Sequence, residues 1–265
     1  MQTMKLGIIR NQNDENAFTF VKEKGLSFVE LCLNFEPEAQ QFIGQADVLK
    51  ARSEAAGIPF ASIGRWNASP LDEAGKIKPH LLEEAQKTMD AAAKLGSPIY
   101  VCGCNWVEGL SLYQNYTAAI NFFGQILDYA RPLGLKVATY NCDWNNWVNN
   151  AKAWEVILGE LPELGIKFDA SHSIAAGRDY LGELATWGNR IYHVHIKGYV
   201  KINGEYVDAP PAGLDAIDWP TEMAILYKFG YDGGLSIEPH SAVWQGDLGE
   251  RGIDYTIRFM KQFLL

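Results

Sequence analysis

Three short stretches carry residue types that do chemistry once they are brought together. Ile191-Tyr192-His193-Val194-His195-Ile196-Lys197 is a β-branched and aromatic run with two histidines two positions apart and a lysine at its end. Phe168-Asp169-Ala170-Ser171-His172 and Leu235-Ser236-Ile237-Glu238-Pro239-His240 each close a short apolar run with a carboxylate and a histidine. Alternate side chains of a strand share a face, so His193 and His195 point the same way. Asp169, His195 and Glu238 together combine hard and borderline donors suited to Mn²⁺, Mg²⁺, Co²⁺ or Zn²⁺. His193 lies one pleat deeper and reads as a hydrogen-bonded core histidine. His172, three residues after Asp169, can orient a substrate hydroxyl or shuttle a proton, with a helix or loop hydrogen bond as the plainer alternative. Lys197 and Lys201 can each bind a substrate oxygen or anion, although solvated lysines are commoner.

The elements that must position these residues follow a repeated phrase. A helix-like segment ends near a glycine, and an apolar run begins within a few residues. The glycines are Gly25, Gly57, Gly96, Gly134, Gly165, Gly188 and Gly230, each expected to supply a left-handed helix cap. With the opening run Lys5-Leu6-Gly7-Ile8-Ile9 this makes eight strand candidates. Between them, Leu81, Leu82, Ala85, Met89, Ala92 and Leu95 form one helical stripe, and Ile120, Phe123, Ile126, Leu127 and Ala130 another. Strands alternating with helices pair in parallel, and eight such units close into a (β/α)8 TIM barrel without exposed edges. The fold class is therefore α/β, with residues 1–265 read as one barrel domain, since no linker or shift of composition divides them. In such a barrel chemistry sits at the C-terminal ends of strands, which makes Asp169, His195 and Glu238 neighbours around one mouth. Trp66, Trp106, Trp144, Trp147 and Trp244 fall in loops after strands. Indoles there suit stacking on the apolar faces of sugar rings, against the plainer reading of loop packing.

Composition narrows the classes. A formal charge of −9 and only five histidines speak against a phosphate-backbone binder. No apolar run is long enough for a membrane span, and Met1 to Gly7 lacks the pattern of a secretory leader. Cys32, Cys102, Cys104 and Cys142 sit in or beside apolar runs without disulfide-framework or zinc-knuckle spacing, so they read as reduced core thiols of a cytoplasmic protein. Self-association is left open.

The motifs at Phe168–His172 and His193–Lys197, with Pro211-Ala212-Gly213, Ile217-Asp218-Trp219 and Ser236-Ile237-Glu238-Pro239 in this order and spacing, resemble the xylose isomerase-like TIM-barrel superfamily of sugar phosphate isomerases and epimerases. The likeness runs nearly end to end, and Glu30 in Phe28-Val29-Glu30-Leu31 matches its second-strand glutamate. It implies Asp169, His195 and Glu238 as metal ligands and His172 at the substrate. Relatives commonly add a glutamate closing the fifth strand. Here Val137-Ala138-Thr139-Tyr140-Asn141-Cys142-Asp143-Trp144 has none, which leaves Asn141 as an uncharged donor, or Asp143 if the strand runs further. Epimerases of the superfamily exchange a proton between two facing metal-bound glutamates, and only Glu238 remains for that work. Gly198 also stands where relatives often have aspartate.

The expectation is a divalent-metal-dependent isomerase or epimerase of a sugar, keto-sugar or polyol, working through an enediolate-type proton transfer. Glu238 would be the base and His172 would handle an oxygen-bound proton. Asp169, His195, Glu238 and Asn141 would hold the metal, with His172, Lys197, Trp66, Trp106 and Trp144 on the carbohydrate. The competing readings are a metal-dependent lyase or dehydratase of the same superfamily and a sugar-binding barrel without catalysis. DNA phosphodiester hydrolysis, as in the endonuclease relatives, is disfavoured by the acidic surface.

Overall fold

The computed structural model describes residues 4–265. Eight parallel strands close into a barrel: β1 (Lys5–Arg10), β2 (Val29–Leu33), β3 (Phe60–Arg65), β4 (Ile99–Cys102), β5 (Lys136–Tyr140), β6 (Leu164–Phe168), β7 (Ile191–Ile196) and β10 (Gly234–Ile237). Between β7 and β10 the chain forms an antiparallel hairpin, β8 (Val200–Ile202) and β9 (Glu205–Asp208), which the sequence reading did not foresee. The outer layer is α1 (Ala17–Glu23), α2 (Glu36–Ala56), α3 (Pro79–Lys94), α4 (Leu112–Ala130), α5 (Ala151–Glu160), α6 (Ala170–Ala175), α7 (Tyr180–Trp187), α8 (Trp219–Lys228) and α9 (Gly246–Lys261). No helix among the described residues is long and apolar enough to cross a membrane.

The helices form where apolar spacing and caps coincide. On α3, Ala85, Met89 and Ala92 are buried, and on α4, Phe123, Ile126, Leu127 and Ala130. Ser111 and Gln114 close a reciprocal capping box at the start of α4, and Asp218 caps α8 ahead of Pro220. Gly25, Gly57, Gly96, Gly134 and Gly230 all adopt positive φ at the expected helix ends. Gly165 and Gly188 do not, and two expectations are corrected here. Gly188 lies in a 3₁₀ turn with φ −55°. Gly165 is inside β6, where a Cβ would overlap the Tyr192 ring, so this glycine makes room rather than a turn.

Tyr192 itself is the extra residue of a bulge on β7, because Ile166 pairs with Ile191 while Lys167 pairs with His193. Opposite it, Phe28 fills the barrel floor over Gly7 and Gly234, whose hydrogens leave space for its ring. Aromatic plugs thus close the N-terminal end. By strand alternation the interior above them receives Glu30, Ser62, Lys167, His193 and Ser236, then Cys32, Asp169, His195 and Glu238. Every one of these is polar or ionisable, so this side of the upper barrel is charged, facing an apolar wall of Val101, Ala138 and Tyr140.

Candidate active site at the barrel mouth

Asp169 follows β6 and is placed by its own backbone. Its Oδ1 accepts from the Ser171 amide (2.9 Å) and the Ser171 hydroxyl (2.6 Å), capping α6. The other oxygen, Oδ2, is buried and has no conventional hydrogen bond. The Asn141 carboxamide clamps the same residue from β5: Nδ2 donates to the Asp169 carbonyl (2.8 Å), while Oδ1 accepts from the Asp169 amide (3.0 Å). Asn141 therefore positions Asp169 with the oxygen expected on a metal. Asp143 is exposed and does not line the mouth.

Two lysines meet Asp169 Oδ2. Lys197 Nζ is 3.1 Å from it and Lys167 Nζ 3.7 Å. Lys197 also donates to His172 Nε2 (2.9 Å) and lies 3.5 Å from Glu238 Oε1. Both lysines are buried, 2% exposed at Lys167 and 5% at Lys197. On the far side, Glu30 joins the two histidines of β7. His193 Nε2 donates to Glu30 Oε2 (2.8 Å), and His195 Nε2 to Glu30 Oε1 (3.0 Å), which also accepts from Ser62 (2.8 Å). His195 Nδ1 completes the chain with Glu238 Oε2 at 2.7 Å.

The protonation states follow from these partners. Burial alone would raise Glu30, Asp169 and Glu238, but their cationic neighbours win. His193 and His195 hold Glu30 well below the carboxylate range; Lys197, then His172 and Lys167, lower Asp169; Lys197 and His195 lower Glu238. Burial would lower Lys197, yet Asp169 and Glu238 raise it, so it stays an ammonium. Burial also opposes the charge on His195, but Glu30 and Glu238 lift it above its ordinary value. His172 goes the other way, down to about 3, chiefly through burial. It is a neutral imidazole accepting from Lys197.

Above these groups opens a cavity of about 350 Å³, within the range of small-molecule sites. Its walls include Trp66, Tyr140, Trp144, His172, Lys197 and Glu238. Among the three carboxylates only Glu238 reaches the opening, 19% exposed against none for Glu30 and Asp169. Trp66 lies edge-on to Tyr140, ring centres 4.6 Å apart, and covers Lys167 at 5.7 Å. Trp106 is not at the mouth; it packs on Trp147 at 5.3 Å, outside the cavity. Trp147, Trp244 and Lys201 are likewise absent from its wall. Lys167 was missed from sequence, although a lysine two residues before Asp169 in an apolar strand must share its inward face.

A family model described as xylose isomerase-like TIM barrel matches residues 18–263. The chain belongs to that family. No curated protein matches its sequence. Among solved structures 3-keto-D-glucoside 4-epimerase from E. coli is similar at TM-score 0.78 and 15% identity, covering 98% of this chain and 99% of that one. D-allulose 3-epimerase from Methylomonas sp. gives 0.75 and 17%, covering 100% and 99%. Mannonate dehydratase from Streptococcus suis gives 0.76 and 14%, covering 98% and 93%. At these identities the likeness concerns the fold.

Within this xylose isomerase-like barrel two groups have the spacing of metal donors: Asp169, His195 and Glu238, and Glu30, Cys32 and His195, each with ligand atoms within 4.8 Å of one another. The second is a poor set, because both Glu30 oxygens are already taken by His193, His195 and Ser62. The first conflicts with the lysines. An ion bound to Asp169 Oδ2 at about 2.1 Å lies within about 5 Å of the Lys197 ammonium, which sits 3.1 Å from that oxygen. At an effective dielectric of about 20, a dication and an ammonium that close repel by about 6 kcal/mol. That is roughly half of what a structural zinc site gains, about 10–16 kcal/mol. With His195 engaged at both nitrogens and Asn141 spent on backbone, the donor set does not fit a divalent ion while Lys197 holds its place.

Proposed function

We propose that this xylose isomerase-like barrel moves a proton at carbon beside a carbonyl of a sugar, keto-sugar or polyol-derived substrate, as an isomerase or epimerase. The observation that supports the reading is the single exposed carboxylate, Glu238, set beside the Lys197 ammonium and neutral His172 beneath a tryptophan-walled cavity. Membership of the family and the epimerases among its structural relatives agree with it.

Glu238 accepts the proton as the carbon–hydrogen bond breaks, and the bond's electron pair becomes the new carbon–carbon double bond. The carbonyl π pair moves to oxygen, giving an enediolate. Positive charge must face that oxygen, and Lys197 carries it in the structure. His172, an acceptor at neutral pH, moves the hydroxyl proton between neighbouring oxygens. Glu238 then returns its proton to the adjacent carbon. One carboxylate working from one face suits transfer between neighbouring carbons better than inversion between two opposed bases. Trp66 and Trp144 offer faces for the apolar side of the sugar.

A dehydratase of the same family is the second reading, favoured by the mannonate dehydratase likeness; there the enediolate pair re-forms the carbonyl and the carbon–carbon double bond shifts as the β-hydroxyl leaves as water with the proton that Glu238 removed. The test is proton exchange in D₂O with a panel of keto- and aldo-sugars followed by NMR. Deuterium should enter at one carbon beside the carbonyl, and Glu238→Gln should abolish it. Binding without exchange for every sugar in the panel would leave only a sugar-binding barrel.

A further inference from the structure

We propose that the Lys197 ammonium, supported by Lys167, takes the place of a divalent cation in this site and makes the reaction metal-independent. The proposal rests on the proton-transfer reading above and adds to it the group that holds the developing negative charge.

Four observations converge. Lys197 Nζ lies between two of the carboxylates expected on a cation, Asp169 Oδ2 at 3.1 Å and Glu238 Oε1 at 3.5 Å, and beside His172 Nε2 at 2.9 Å. Lys167 stands behind, 3.7 Å from the same Asp169 oxygen, with Trp66 over it. The position that could add a fourth donor, Asn141, is closed by two hydrogen bonds to the Asp169 backbone. The buried carboxylates are also engaged without a metal. Asp169 meets Lys167 and Lys197, and Glu30 and Glu238 meet the two ring nitrogens of His195.

The arrangement also gives Lys197 a way to act. Its contact to Glu238 is its longest, and both side chains line the cavity. A substrate carbonyl oxygen entering there can take that third ammonium hydrogen. As Glu238 removes the carbon-bound proton, the pair left on oxygen is stabilised by the same hydrogen bond. No electrons enter or leave the site, and no co-reactant is required.

The decisive measurement is a calorimetric titration of the chelator-dialysed wild-type protein with Mn²⁺ alone, alongside elemental analysis of the protein as purified. The expected result is substoichiometric metal, no saturable binding, and a deuterium-exchange rate unchanged by chelator. A metal ion retained in equimolar amount through dialysis, or a saturable site for Mn²⁺, overturns the proposal whatever the activity. Lys197→Met, folded by circular dichroism, should lose exchange by about 10²–10³-fold, the effect of removing one oxyanion donor. Lys197→Arg, which keeps the charge, should retain part of the rate and covers the case in which the methionine variant does not fold. A folded Lys197→Met with the wild-type rate overturns the proposal as well. The metal titration needs no substrate, so a failure of the proton-transfer reading is seen separately as absence of exchange in the wild type.

Discussion

Glu222 should make the stability of this barrel depend on pH in a direction opposite to that of Glu30, Asp169 and Glu238. It sits in the first turn of α8, 1% exposed, with neither carboxyl oxygen hydrogen-bonded. Burial, reinforced by Asp169 and Asp215, pushes it from 4.5 up to about 8. In the unfolded chain the group ionises near its ordinary value. Between the two values the unfolded state therefore binds fewer protons than the native state, and stability falls as pH rises. At about 1.4 kcal/mol per pH unit, the wild type should lose about 5 kcal/mol from this residue alone between about pH 4 and pH 9. Glu30, Asp169 and Glu238 are held low in the folded state, so their contribution is present above their unfolded values and lost towards acid. They titrate in both proteins, and comparison with Glu222→Gln removes them. The assay is urea unfolding of both proteins across that range. The difference in unfolding free energy should swing in favour of the variant by about 5 kcal/mol as pH rises. Parallel curves, with a swing below about 1 kcal/mol, would mean that Glu222 has a partner or reaches water, and the buried-acid reasoning fails.

Glu30→Gln should destabilise the fold by about 3–5 kcal/mol in denaturant titrations, because it removes a buried counter-charge of His195 and the charged hydrogen-bond acceptor of His193. Gly165→Ala should lower stability by about 1–3 kcal/mol through overlap with the Tyr192 ring, and Tyr192→Val in the same chain should restore most of it in thermal melts. Trp66→Ala should raise KM by roughly tenfold with a smaller effect on kcat, as loss of a stacking face predicts, while Trp106→Ala, outside the cavity, should leave steady-state kinetics unchanged.

The strand-and-helix alternation was legible because the barrel strands are short, mostly apolar runs and the longer helices carry an apolar stripe. Alternation also placed His193 and His195 on one face, where both meet Glu30. What escaped the sequence depends on partners far along the chain. Gly165 looks like a helix cap until Tyr192, brought beside it by the β7 bulge, is known to lie over it. Asn141 looks like a weakened ligand until the Asp169 backbone, 28 residues on, takes both ends of its amide. Gly198 stands where relatives often carry aspartate, and any Cβ there would strike the Pro210 carbonyl as the chain returns from the β8–β9 hairpin. Two signals were present and unread. Ile202-Asn203-Gly204-Glu205 is a two-residue hairpin turn, with Asn203 and Gly204 at φ 55° and 89°. Lys167 in an otherwise apolar strand announces an inward charge.

The barrel divides its interior between two kinds of work. At the floor, Phe28 and Tyr192 pack over glycines, and burial of that apolar area stabilises the closed sheet. At the mouth, β2, β6, β7 and β10 give up apolar packing for a group of ionised side chains, while Val101, Ala138 and Tyr140 keep the opposite wall apolar. Buried ion pairs of this kind contribute little or nothing to stability relative to well-packed hydrophobic residues, and removal of one member leaves an uncompensated charge. A chain selected for stability alone has no reason to place Lys167 and Lys197 beside Asp169. The proton-transfer reaction proposed above would use such fixed positive charge next to a carboxylate base. The same reasoning explains why Asn141 and Ser171 are committed to holding Asp169 still. An ammonium on a flexible stem is a less rigid electrophile than a coordinated ion, and its precision must come from the anion that anchors it.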